Sequence, residues 1–232
     1  YTEYLKYSLS RNYLNFSFLM TLTYALLYRK PKIRENESFE YIMIDEFQDT
    51  NEIQFKLALL LADKPNFCVV GDWKQSIYSF QYAAVENILE FEERLEKYCT
   101  ELNQDRRKAD FPEKKVNRIE LKKNYRSTQE ILNKSELSLS LPANSNEKPE
   151  KPDITSLKSM VEKEGEVLKI ESDKEMETVL AKIQELKNQG FNYSDIAVLS
   201  RTRSFGLEIQ EEARKYNVPA AYEGGVELFT TN

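Results

Sequence analysis

Two adjacent carboxylates, Asp45 and Glu46, close the apolar run Tyr41-Ile42-Met43-Ile44 and open the string Asp45-Glu46-Phe47-Gln48-Asp49-Thr50. Acids delivered by a strand end can divide two tasks. One faces the hydration shell of a Mg2+ ion on a nucleoside triphosphate, and the other takes a proton from the attacking water. Acid pairs at strand ends also cap helices, so the pair alone leaves both readings open. A second string, Val70-Gly71-Asp72-Trp73-Lys74-Gln75-Ser76-Ile77-Tyr78-Ser79-Phe80, follows another apolar run. Its Gln75 can hydrogen-bond a γ-phosphate or the attacking water, a neutral contact present only while the triphosphate is intact. Tyr78 and Phe80 offer flat faces to nucleic-acid bases, worth about 1–3 kcal/mol per base, although aromatics two residues apart more often serve a core. In a third string, Lys122-Lys123-Asn124-Tyr125-Arg126-Ser127-Thr128, Arg126 can reach a γ-phosphate and Tyr125 can stack on a purine. A turn with a solvated arginine is the alternative.

Composition narrows the chemistry further. The 232 residues carry 33 Lys and Arg against 39 Asp and Glu, a net charge of −6, so any polyanion site must be local. Histidine is absent, which excludes Ser/His and Cys/His catalysis and His-ligated metals. Cys68 and Cys99 stand alone and read as reduced, structural thiols of a cytoplasmic protein. None of the six glycines falls in a GxxxxGK[ST] or GxGxxG string, so no phosphate-cradling loop is encoded here. The sequence starts at Tyr1 without an initiator Met, and residues Phe229 to Asn232 carry no stop signal, which predicts a fragment of a longer chain.

The elements that must position these residues read as an α/β fold. The stretch Leu14 to Tyr28 sets Leu14, Phe18, Leu22, Ala25 and Leu26 at helical spacing and stops before Pro31. It is shorter than the roughly 20 apolar residues of a membrane span, so a buried helix and no membrane contact are expected. The runs 41–45 and 67–72 predict strands covered on both faces of a parallel sheet. Between them Asp49, with Glu52 three residues on, predicts a helix start carrying Ile53, Leu57, Leu60 and Leu61 on one face. Strand, helix, strand with acids at the carboxyl ends is where α/β proteins place ligands. A helix follows from about Ala84 to Tyr98. The stretch Glu101 to Arg126 holds nine basic and five acidic residues, net +4, and reads as a solvated loop. Residues 133–165, with Pro142, Pro149 and Pro152, read as a connection between two lobes. Beyond it the pattern predicts strands at Glu166 to Ile170, Asp195 to Ser200 and Pro219 to Tyr222. Helices between them carry Met176, Val179, Leu180, Ile183 and Leu186, and then Ser204 to Tyr216, completing a second βαβαβ unit.

The order of motifs is more specific than any one of them. DEFQDT, GDxxQSIYxF, NYRS, Asp195-Ile-Ala-Val-Leu-Ser-Arg201-Thr202-Arg203 and Tyr222-Glu-Gly-Gly-Val-Glu-Leu-Phe229 together resemble the UvrD/Rep/PcrA family of superfamily 1 DNA helicases over nearly the whole chain. The resemblance implies two RecA-like P-loop NTPase lobes with parallel sheets that clamp ATP and ratchet along single-stranded DNA, generally 3′ to 5′. It implies part of the first lobe and the beginning of the second. Residues 1–38 would return from an inserted helical subdomain, 39–132 would belong to lobe 1, 133–165 to the connection and 166–232 to lobe 2. Carried over motif by motif, Asp45 would bind Mg2+ through water and Glu46 would be the catalytic base. Gln75 would sense the γ-phosphate, Arg126 would contact it and Tyr125 would stack on adenine. Tyr78, Phe80, Thr202 and Arg203 would touch DNA.

Several residues depart from the pattern. Trp73-Lys74 stands where acids are frequent, and GDxKQ is similar to the helicase-nuclease branch containing AddA and RecB. Gln81-Tyr82-Ala83 replaces Arg-Gly-Ala, and Arg203 stands in place of Asn. Asn15-Phe16-Ser17-Phe18 lacks the acids of the Asp-Phe-x-Asp segment. The expected function is therefore that of a fragment of an ATP-dependent DNA helicase of repair or recombination, inactive alone. Its partners would be single-stranded or tailed duplex DNA and the remainder of its own chain, with a nuclease domain or subunit as a further candidate. A non-catalytic DNA-binding or protein-interaction module derived from a helicase is the alternative. An Mg2+-dependent nuclease built on Asp45, Glu46, Asp49 and Asp72 ranks below both.

Overall fold

The computed structural model describes residues 2–77, 83–106, 108, 109, 111, 116–140 and 156–222. The chain divides into two compact units, Tyr1–Asn124 with Ser135–Lys158, and Tyr125–Lys134 with Ser159–Asn232.

The first unit opens with helices α1 (Thr2–Ser10), α2 (Phe16–Arg29) and α3 (Pro31–Asn36). Helix α2 starts where Asn15 accepts a hydrogen bond from the Phe18 N–H at 2.8 Å, and Pro31 occupies the first turn of α3, where its missing N–H is no loss. Of the apolar residues expected in phase along α2, Phe18 is buried, whereas Leu14 and Leu26 are exposed and Leu27 is buried instead. That face of α2 packs on α4 (Glu52–Leu61).

Strands β1 (Ile42–Ile44) and β2 (Phe67–Val69) run parallel, pairing Ile42 with Phe67, Met43 with Cys68 and Ile44 with Val69. The pairing continues past the strand ends through Val70 N–H to Ile44 C=O at 2.8 Å and Phe47 N–H to Val70 C=O at 2.9 Å. Side chains alternate across a strand, so one face buries Ile44 and Val69 against the core while Met43 and Cys68 face solvent.

Helix α4 is capped by Asn51, not by Asp49. The Asn51 side chain accepts from the Gln54 N–H at 3.0 Å and the Gln54 side chain accepts from the Asn51 N–H at 2.8 Å, a reciprocal capping box. Asp49 instead belongs to a one-turn 3-10 helix, Phe47–Asp49. The buried residues of α4 are Phe55, Leu57, Leu59 and Leu60, packed toward α2 and α6, while Ile53 is exposed. Phe55 is the centre of the core, edge-on to Phe47 and Tyr98 and stacked on Phe91 at 5.5 Å. Phe91 opens α6 (Phe91–Leu102), which follows the short α5 (Glu86–Leu89), so the single helix expected from 84 to 98 is broken at Glu90. The charged stretch after α6 is not all solvated. The Lys108 side chain is 3% exposed, donates to the Leu102 carbonyl at 3.0 Å, pairs with Asp105 and lies over the Tyr28 ring.

Next come β3 (Lys123–Asn124), α7 (Gln129–Ser140) and β4 (Lys158–Ser159). The first residues of the expected connection are thus helical, because Ile131, Leu132 and Leu137 lie at helical spacing with no Gly or Pro among them; Pro142, Pro149 and Pro152 lie outside the described residues.

The second unit carries α8 (Glu175–Asn188) and α9 (Arg203–Lys215), as the apolar spacing predicts. Leu180, Ile183, Ala213 and Val218 form its core, with Val179, Tyr193 and Ile196 against them. Gly190 ends α8 at φ +101°, a backbone region that favours glycine, while its N–H and that of Phe191 satisfy the carbonyls of Lys187 and Leu186. The strands expected at 166–170, 195–200 and 219–222 are not formed as ladders among the described residues. Apolar pattern records a preference for burial and not the presence of a partner strand, and Leu168, Ile170 and Leu199 remain exposed. Among the described residues no helix is long and apolar enough to cross a membrane.

Candidate active site

The carboxyl ends of β1 and β2 bring the first two motifs together. Asp45 follows the last residue of β1, and its Oδ1 accepts the Glu46 N–H at 2.9 Å. Glu46 itself adopts φ 49°, ψ 43°. The left-handed region is uncommon for a residue with a side chain, and such strain of about 1–2 kcal/mol persists where the surroundings enforce it. Both carboxylates are exposed. The turn is held from below by Phe47, fully buried among Phe55 and Phe91.

Gln48, 1% exposed, links the two strand ends. Its Nε2 donates to Glu46 Oε2 at 2.7 Å, and its Oε1 accepts the Asp72 N–H at 3.0 Å. Asp72 then caps the 3-10 turn Trp73–Gln75, accepting the Lys74 N–H at 3.1 Å on Oδ1 and the Gln75 Nε2–H at 3.1 Å on Oδ2. Gln75, singled out in the sequence as a γ-phosphate contact, is therefore hydrogen-bonded to Asp72 and sits in the same hydrogen-bonded set as Glu46.

Thr50 closes the DEFQDT turn by donating to the Phe47 carbonyl at 2.6 Å. Its own carbonyl accepts the Ala84 N–H at 3.0 Å and the Asn87 Nδ2–H at 3.1 Å. Asn87 is fully buried, and its Oδ1 accepts the Tyr98 hydroxyl at 3.4 Å. Sequence reasoning missed both Gln48 and Asn87. The only signal available was an amide placed among apolar neighbours, Phe47 for one and Ile88 and Leu89 for the other.

Tyr78 and Phe80 lie outside the described residues. Tyr125 and Arg126 stand in the second unit, in the turn between β3 and α7, both exposed, with Tyr125 72% accessible. Thr202 and Arg203 are exposed at the start of α9. The Thr202 backbone is extended, its carbonyl accepts the Ser200 hydroxyl at 3.0 Å, and its hydroxyl accepts that of Ser204 at 3.3 Å.

Hard oxygen donors suit Mg2+, which is commonly held by one or two carboxylates together with substrate phosphates and waters. The exposed Asp45 carboxylate provides such a donor. The shielded Asp49 Oδ1 in the same turn lacks a hydrogen-bond partner. No group of three or more His, Cys, Asp or Glu that could hold a metal ion occurs among the described residues.

The UvrD/REP helicase N-terminal domain family matches residues 1–96, and the UvrD-like helicase C-terminal domain family matches residues 119–232. The chain is also similar to proteins named ATP-dependent DNA helicase PcrA from Staphylococcus epidermidis strain RP62A and Staphylococcus aureus strain Mu50. Each is 36% identical over 225 residues, covering 95% of this chain and 28% of the relative. The chain thus spans less than a third of the length of these relatives.

Proposed function

Because the chain belongs to the UvrD/Rep/PcrA family of superfamily 1 helicases, we propose that it supplies the water-activating and phosphate-sensing residues of an ATP-dependent DNA helicase whose complete chain is longer. The observation that carries the proposal is the single hydrogen-bonded set joining Glu46, Gln48, Asp72 and Gln75 at the ends of two parallel strands. Residues 39–132 form part of a first RecA-like lobe, 166–232 the beginning of a second, 133–165 their connection, and 1–38 a return from an inserted subdomain.

In this reading Glu46 accepts a proton from the water that attacks the γ-phosphate, a contribution of about 10²–10⁴ in rate for a positioned base. Its exposed carboxylate, presented by a strained turn beyond β1, supports that role. Asp45 would hold Mg2+ through water, and that ion would supply charge neutralisation at the phosphates. Gln75 exchanges its bond to Asp72 for one to the γ-phosphate or the water, which ties the Asp72–Gln75 turn to the state of the nucleotide. Arg126 gives a guanidinium to the γ-phosphate and Tyr125 a ring to adenine. Tyr78, Phe80, Thr202 and Arg203 contact the DNA strand. The motor moves on single-stranded DNA and opens duplexes in repair or recombination in the cytoplasm, with a nuclease domain or subunit as a further partner. Residues 1–232 alone hydrolyse no ATP, since they contain no GxxxxGK[ST] loop for the β- and γ-phosphates.

The deciding experiment is DNA-stimulated ATP hydrolysis by the full-length protein. Glu46→Gln is expected to lower kcat about a hundredfold or more while ATP still binds. Normal turnover by that variant removes Glu46 from the role of base.

A further inference from the structure

We infer that Gln48 is the positioning residue for Glu46, holding its carboxylate in one orientation and registering it to the Asp72–Gln75 turn. The inference rests on the proposed role of Glu46 as base and adds how that base is aimed. Glu46 is exposed and its backbone is left-handed, so nothing in its own conformation fixes where the carboxylate points. The 2.7 Å hydrogen bond from Gln48 Nε2 supplies that restraint.

Gln48 is suited to the task because it cannot itself move. It is 1% exposed, and its Oε1 is taken by the Asp72 N–H at 3.0 Å. The amide has one satisfactory orientation. Exchanging its oxygen and nitrogen would set a carbonyl against the Glu46 carboxylate and an NH2 against the Asp72 N–H. Close packing from below comes from Gly71, where an added Cβ would stand 2.6 Å from Gln48 Oε1. A purely space-filling role would be met by an apolar side chain without the need to satisfy a buried amide at both ends. The ionisable neighbours at the two strand ends are Asp45 and Asp49 on one, Asp72 and Lys74 on the other.

The test compares Gln48→Glu and Gln48→Met with wild type and Glu46→Gln in the full-length protein, by DNA-stimulated ATPase as a function of pH. Gln48→Glu keeps an acceptor for the Asp72 N–H and loses the donor to Glu46, so two adjacent carboxylates come to share a proton. The expected result is a kcat lowered about tenfold or more with KM for ATP changed less than about threefold. The acid limb of the kcat profile is displaced to higher pH in Gln48→Glu and not in Gln48→Met, and kcat stays lowered on the high-pH plateau of both variants, where neither residue can donate to Glu46. Wild-type kcat and pH profile in both variants, alongside an inactive Glu46→Gln, overturn the inference and leave Glu46 as the base. Turnover by Glu46→Gln at the normal rate overturns the underlying reading instead. Loss of the folded state in both Gln48 variants makes Gln48 a packing residue and also overturns the inference.

Discussion

Gly71 lies against Gln48 so closely that one added carbon would stand 2.6 Å from the Gln48 amide oxygen, 2.7 Å from Ile88 Cδ1 and 3.1 Å from the Phe47 backbone nitrogen. Side chains can yield at such distances, but the backbone of the DEFQDT turn cannot shift without moving Glu46. Gly71→Ala is therefore expected to lose about 1–3 kcal/mol of stability from overpacking, read as a lower urea midpoint. It is also expected to impair ATP turnover in the full-length protein more than its loss of stability accounts for. An unchanged midpoint would show that the turn repacks freely.

Asn51 and Asp49 are both residues that cap helices, and the structure assigns the work to Asn51 alone. Asn51→Ala is expected to destabilise by about 0.5–2 kcal/mol through loss of the capping box. Asp49→Ala, which removes a shielded oxygen without a partner, is expected to change the midpoint by less than about 0.5 kcal/mol or to raise it. Thermal denaturation of the two variants side by side checks the ranking.

Asn87 joins the Thr50 carbonyl to the Tyr98 hydroxyl in the interior. Asn87→Leu keeps the branched shape but removes the acceptor for the Tyr98 hydroxyl, which is left only the bond from Arg94, so a loss of about 1–3 kcal/mol is expected. Pairing it with Tyr98→Phe should restore part of that loss, and a double-mutant cycle in urea measures how much. Strict additivity of the two would dismiss the network.

Glu52 is held below its ordinary value of 4.5 by the hydrogen bond from Lys56, with burial opposing. A carboxyl lowered on folding contributes stability that is full above its unfolded value and fades as pH falls through the folded one. The pair is half exposed on the Glu52 side, so Glu52→Gln should lower stability by only about 0.5 kcal/mol at neutral pH. That difference should vanish as the pH is taken well below 4.5. A difference that persists in acid would mean the effect is not ionic.

The strands leading to Asp45 and Asp72 were legible because a short continuous apolar run closed by an acid matches a strand of a parallel sheet, and the helices at 175–188 and 203–215 because their spacing is unbroken. The cap at Asn51 was not, since Asp49 offers the same chemistry two residues earlier and only the extended backbone of Thr50 separates them. Gln48 was hidden for a different reason. Its partner Asp72 is 24 residues away, and no local pattern announces a hydrogen bond across two strands. The ladders expected at 166–170 and 195–200 show the converse, where composition states that a segment prefers burial but is silent on what it pairs with.

Met43 and Cys68, opposite one another on the solvent side of the β1–β2 pair, give this chain a built-in chemical reporter. Cys99 is partly covered, so alkylation of 1–232 should modify Cys68 first. In the full-length protein the reaction rate at that one sulfur reads out whether other parts of the chain roof over the solvent face of the β1–β2 pair. A fluorophore placed there would stand one strand away from the DEFQDT turn.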